Sequence, residues 1–143
     1  KPKIGVIIAS SLNRNDLLFS RSLNSVLSQS KPTDHILIVD DNQDETTSKD
    51  IEQRISKLKN NKIHYIKNSQ TPNISGSGAW NCGIKWYENF LEDDDYMAIL
   101  DDDDSWHEEY IGSCYDAITS SSKIPDAVFG FIKRGDCDKC SSF

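Results

Sequence analysis

The sequence predicts an α/β fold, a mostly parallel sheet with helices on both faces. Short runs of branched apolar residues alternate with helical periodicities from one end of the chain to the other. The strand-like runs are apolar throughout rather than every second residue, as expected of strands buried on two faces. Polar clusters follow three of these runs, where the loops of such a sheet gather beyond the carboxyl ends of its strands.

Element by element, KIGVIIAS reads as the first strand. The helix after it carries Phe19, Leu23, Val26 and Leu27 at helical spacing. HILIVDD, from His35 to Asp41, is the second strand, and Ile51, Ile55 and Leu58 mark the second helix. KIHYI, residues 62–66, is a third strand. The glycine-containing loop KNSQTPNISGSG then leads to a helix whose apolar stripe is Trp80, Ile84, Tyr87 and Leu91. The strand YMAIL follows, then a helix with Ile111, Cys114, Tyr115 and Ile118, and finally a strand at DAVFGFI.

Composition narrows the function. A net charge of -7 argues against a nucleic-acid surface, which needs a basic footprint. The charge is also localised. Without Asp93 to Asp95 and Asp101 to Asp104, the remaining acidic residues balance the 16 basic ones. A concentrated acidic site calls for a metal cation or a basic partner. No apolar stretch approaches the roughly 20 residues that span a bilayer, and no signal peptide opens the chain. The chain begins at Lys1 rather than Met and ends in CSSF, so it reads as part of a longer protein. Cys82, Cys114, Cys137 and Cys140 supply one C-x-x-C, whereas a zinc ribbon needs two. Free thiols are expected, and with them a cytoplasmic location, on or off the membrane surface.

The run YMAILDDDDSW carries the chemistry. Two carboxylates about 5 Å apart at an effective dielectric of ~20 repel by roughly 3 kcal/mol, so something must offset the crowding. In an extended chain Asp101 and Asp103 share one face and Asp102 and Asp104 the other, which is the geometry of a D-x-D cation clamp. Oxygen ligands suit a hard cation, Mn²⁺ or Mg²⁺, which keeps positions open for substrate phosphates. A calcium EF-hand starting at Asp101 fails, because Trp106 and Gly112 stand where glycine and glutamate are required. Neither nucleotide fingerprint is present: there is no G-x-x-x-x-G-K-[ST], and after GSG the third glycine is replaced by Asn81. Asp40 or Asp41 could instead accept from a pyrimidine N–H. Asn81 reads equally as a helix-start residue, Asp93 to Asp95 as a solvated turn, and Trp106 as packing under the acidic loop or anchoring the next helix. His35, His64 and His107 are scattered.

VIIASSLNR, LIVDDN, GAWNCGI and AILDDDDSW, in this order, resemble the nucleotide-binding half of a family 2 glycosyltransferase of the GT-A (Rossmann-like) fold. The resemblance implies that Ser10, Ser11, Asn13 and Arg14 border the uridine, that Asp41 contacts the uracil, and that Asp102 lies near the ribose. It assigns the metal to Asp101 and Asp103, with Asp103 the direct ligand. Asn81 falls in the family's Ala-Arg-Asn motif, where Trp80 replaces the arginine; helical spacing makes Trp80 a packing residue. On this resemblance, residues 1–143 are the nucleotide-sugar-binding portion of a single GT-A domain whose acceptor half lies outside the chain. The implied reaction is metal-dependent transfer, with inversion, from a UDP-sugar to a saccharide, lipid-linked or protein acceptor, as in polysaccharide biosynthesis. Its general base lies outside the chain. A receiver-type signalling domain and a non-catalytic sugar-nucleotide binder are the alternatives; the first needs an acidic pair after the first strand, which ends in ASSLNR.

Overall fold

The branched apolar runs form parallel strands in the computed structural model, which describes residues 1–69, 76–130, 132–133 and 140–141. In chain order the elements are β1 (Ile4–Ser10), α1 (Asn15–Leu17), a π turn (Leu18–Ser22), α2 (Leu23–Leu27), β2 (His35–Asp40), α3 (Glu45–Leu58) and β3 (Ile63–Lys67). They continue with α4 (Ser77–Tyr87), β4 (Tyr96–Asp101), α5 (Tyr110–Ser120), β5 (Ile132–Lys133) and β6 (Cys140–Ser141). The main sheet runs β3-β2-β1-β4, parallel throughout. β5 and β6 form a separate antiparallel pair.

Both faces of the sheet are apolar because β1 and β2 bury nearly every residue. On one face Val6, Ile8, Ile36 and Ile38 pack with Leu18, Leu23, Val26 and Ile51 from the helices. On the other, Ile7, Ala9, Leu37 and Val39 pack with Ala79, Cys82 and Tyr87 of α4. This second layer is close because two glycines permit it. A Cβ on Gly83 would stand 2.8 Å from Ile7 Cγ2, and one on Gly5 would stand 2.7 Å from the Tyr87 ring. Tyr87, fully buried, donates its hydroxyl proton to the Val6 carbonyl at 2.8 Å.

The π turn shifts the first helical face. Leu18 is fully buried, whereas Leu27, expected on the core side, is 41% exposed. An extra residue in the turn lets Leu18 and Leu23, five apart, share a face that α spacing would split. The expected strand at DAVFGFI does not form over 127–130, which lie in no regular element; among the described residues of this stretch, Ile132–Lys133 alone is extended. Asp93 and Asp94 are exposed, but Asp95 is a brace rather than a solvated residue. Its carboxylate accepts from the Lys3 N–H at 2.7 Å and the Glu92 N–H at 2.9 Å. His35 and His64, distant in sequence, meet on adjacent strands with ring centroids 5.7 Å apart, and Trp86 and Phe90 stack beside them. Cys82 and Cys114 are free thiols. Cys137 and the side chain of Cys140 lie outside the described residues.

Candidate functional site

Register places three strand ends side by side. Ser10 is opposite Asp40 and Ala9 opposite Asp101, so the loops after β1, β2 and β4 leave the sheet at one level. The chain builds outward from β1 to β3, then returns to put β4 on the other side of β1. Ligand crevices of parallel sheets open at such a reversal. A cavity of about 430 Å³ lies there, lined by Ala9, Ser11, Leu12, Arg14, Asp41, Gly76, Ala79, Asp101 and Asp103.

The four aspartates have separate fates because the chain turns after Asp101 instead of staying extended. The Asp104 N–H donates back to the Asp101 carbonyl at 3.3 Å. Asp104 therefore joins Asp101 and Asp103, and one carboxylate oxygen from each lies within 4.8 Å of the others. The strict alternation expected from an extended strand does not hold here. Asp102 is fully buried, accepting from the Ser11 N–H at 3.0 Å and pairing with Arg14 Nη2 at 2.7 Å. Arg14 Nη1 also reaches Asp103 Oδ2 at 3.4 Å. Burial, followed by repulsion from Asp104 and Asp103, pushes the Asp101 carboxyl above its ordinary range. Burial likewise raises Asp102, against the opposing pull of the Ser11 N–H and Arg14. Three converging carboxylates are a hard oxygen donor set, and they suit Mg²⁺ or Mn²⁺.

The second acidic pair divides as well. Asp40 is fully buried and serves the fold, accepting from the Tyr65 hydroxyl at 2.6 Å and from both nitrogens of Asn42 at 2.8 and 2.9 Å. Asp41 lines the cavity, with the Asn68 amide donating to its Oδ1 at 2.7 Å. The loop after β1 is held in an unusual shape, since Leu12 and Asn13 have φ of 54° and 55°. Asn42 accepts from the Asn13 N–H at 2.9 Å, and the Thr47 hydroxyl donates to Asn13 Oδ1 at 3.1 Å.

Of the residues singled out from sequence, Ser11, Arg14, Asp41, Asp101 and Asp103 line one cavity. Ser10 is fully buried and Asn13 faces Asn42 and Thr47. Asn81 is exposed on the second turn of α4, which starts at Ser77, so it is no helix-start residue. Trp80 packs against the α4-side core. Trp106 packs against the opposite core layer and stacks on Tyr110 at 4.9 Å, anchoring the start of α5. Leu12, Gly76, Ala79 and Asp104 are the site residues that sequence reasoning missed. The loop after β1 brings in Leu12, and the turn after β4 and the close approach of α4 bring in the others; none of these geometries has a sequence signature.

The family described as Glycosyl transferase family 2 matches residues 6–138. The succinoglycan biosynthesis protein ExoW of Rhizobium meliloti (strain 1021) is 28% identical over 119 residues, covering 83% of this chain and 34% of ExoW. Among solved structures, S. aureus TarS 1-349 superposes with a TM-score of 0.62 at 22% identity, covering 82% of this chain and 32% of that one. The same TarS portion in complex with UDP-GlcNAc also gives 0.62 at 22% identity, with 82% and 31% covered. The likeness to TarS is one of fold. The chain spans about a third of the length of these relatives. Among the described residues no helix is long and apolar enough to cross a membrane.

Proposed function

We propose, from the premise that this chain belongs to glycosyl transferase family 2, that it is the donor-binding portion of a metal-dependent enzyme that transfers a sugar from a UDP-sugar to an acceptor hydroxyl. One observation carries the proposal: the convergence of Asp101, Asp103 and Asp104 beside a cavity that Asp41 also lines. The receiver-domain alternative falls with the family match.

Asp101, Asp103 and Asp104 would hold Mn²⁺ or Mg²⁺, and the bound cation would neutralise the negative charge that gathers on the departing diphosphate. Asp41 accepts from an N–H of the base, held for this by Asn68. Arg14 fixes Asp102 and thereby the turn that presents the three ligands. Ser11 holds the same carboxylate through its backbone N–H, tying the β1 loop to the acidic turn. The acceptor, whether saccharide, lipid-linked or protein, and the general base that deprotonates it with inversion belong to a second half of the domain. The bound complex of TarS supports UDP as the donor nucleotide. The free thiols Cys82 and Cys114 support a cytoplasmic setting.

Titration calorimetry of UDP in Mn²⁺ and again in chelator tests the reading. The affinity should fall by about ten-fold or more without metal, the worth of roughly 1.4 kcal/mol. Equal affinity in the two conditions would favour the non-catalytic binder.

A further inference from the structure

Three polar side chains from the first helical stretch and its C-terminal end reach backbone groups of the acidic turn and of the segment that follows it. Arg21 Nη1 donates to the Asp103 carbonyl at 2.9 Å. Ser25 Oγ accepts from the Trp106 N–H at 3.1 Å. Gln29 donates to the His107 carbonyl at 2.8 Å and accepts from the Ile111 N–H at 2.9 Å. Arg21 lies in the π turn, Ser25 in α2 and Gln29 two residues past its end, and the three grip successive parts of residues 103–111. The last secures the start of α5. The first bears on the acidic turn, holding the peptide whose own side chain is one of the three converging carboxylates. Arg21 sits inside the π turn, at a local change of helical register, and π turns recur at functional sites.

Resting on the cation reading above, we infer that Arg21 is a positioning residue for the metal site. It fixes the Asp103 carbonyl, and with it the directions in which Asp103 and Asp104 project. It touches neither nucleotide nor metal.

A simpler role predicts the opposite sign. If Arg21 acted only through its charge, removing a cation near three carboxylates would tighten binding of a second cation. If it positions the turn, removing it weakens binding. Arg21 is exposed, so its substitution leaves folding intact.

The experiment compares parent, Arg21→Ala and Arg21→Lys. Bound Mn²⁺ is followed by electron paramagnetic resonance in the presence of UDP, and thermal melts are recorded in chelator. Arg21→Ala should bind Mn²⁺ about ten-fold more weakly, while its melt in chelator falls by clearly less than that loss would require. Arg21→Lys, which keeps a long donor, should recover most of the loss. Unchanged or tighter Mn²⁺ binding in Arg21→Ala would overturn the inference, as would a loss matched by an equally lowered melt. A parent that binds UDP without regard to Mn²⁺ would remove the proposed function itself, and this inference with it.

Discussion

Asp102→Asn separates the one aspartate of the run that holds the fold from the three that converge on the cavity. The carboxylate of Asp102 is fully buried, with Arg14 at 2.7 Å and the Ser11 N–H at 3.0 Å. Asparagine keeps one oxygen, so it satisfies one of these donors and turns its own N–H₂ toward the other. Removing one partner of a buried ion pair costs about 3–5 kcal/mol. The figure is lower here because the Arg14 side chain is 30% exposed and has Asp103 at 3.4 Å to fall back on. Asparagine also escapes the burial penalty that already raises the Asp102 carboxyl, and the repulsion from the neighbouring aspartates. Together these lower the figure further, leaving about 2 kcal/mol. For a domain of this size that corresponds to a fall in Tm of about 4–8 °C. Thermal and urea unfolding near neutral pH, in chelator, measure it. Asp103→Asn is the companion, since the Asp103 side chain is 42% exposed and should show no such loss. An Asp102→Asn protein melting at or above the parent would refute the reasoning, because crowding of like charges would then outweigh the Arg14 pair.

Asp103→Ala should lose most Mn²⁺-dependent UDP binding yet melt at or slightly above the parent in chelator; equal ligand-induced rises in Tm for both proteins would make the run a solvated turn. Gly83→Ala sets helix propensity, about 1 kcal/mol in favour of alanine, against overpacking of about 1–3 kcal/mol where the new Cβ meets the branched Ile7. A net loss near 1 kcal/mol is expected in denaturant titration, and a gain would show that α4 has room to move. Tyr65→Phe should raise the pH of acid unfolding. Burial pushes Asp40 up, but hydrogen bonds from Ser48, Tyr65 and Asn42 more than reverse it, so its carboxyl sits below the ordinary range. The stabilisation is complete above the unfolded carboxylate value and drains away as pH falls from there through the lowered folded value. Losing the tyrosine donor narrows that window, and circular dichroism followed down the acid limb reads the shift.

The sheet was legible because β1 and β2 are buried on both faces, and two-sided burial leaves an unbroken apolar run. The segment at DAVFGFI looked alike, yet Phe129 is 80% exposed and residues 127–130 join no ladder. Apolar content alone cannot distinguish a strand from a loop that leans on a helix. The acidic turn was legible in its residue types and misread in its geometry, since alternation holds only while the chain stays extended and β4 ends at Asp101. The ladder of Arg21, Ser25 and Gln29 was invisible for another reason. Its partners are backbone atoms about eighty residues away, and any sequence presents the same backbone. The π turn hid the burial of Leu18, because a helix reading assumes an unbroken 3.6-residue period.

The left-handed pair Leu12 and Asn13 bears on how a ligand is received. Leucine reaches such a conformation only at a cost of roughly 1–2 kcal/mol, and contacts with Asn42, Thr47 and Asp102 hold the loop there. The conformational entropy of this loop is therefore surrendered when the chain folds. On the proposed function, a nucleotide entering the cavity would meet a wall whose shape the fold's own contacts set, so little of the entropy of binding would go to ordering it.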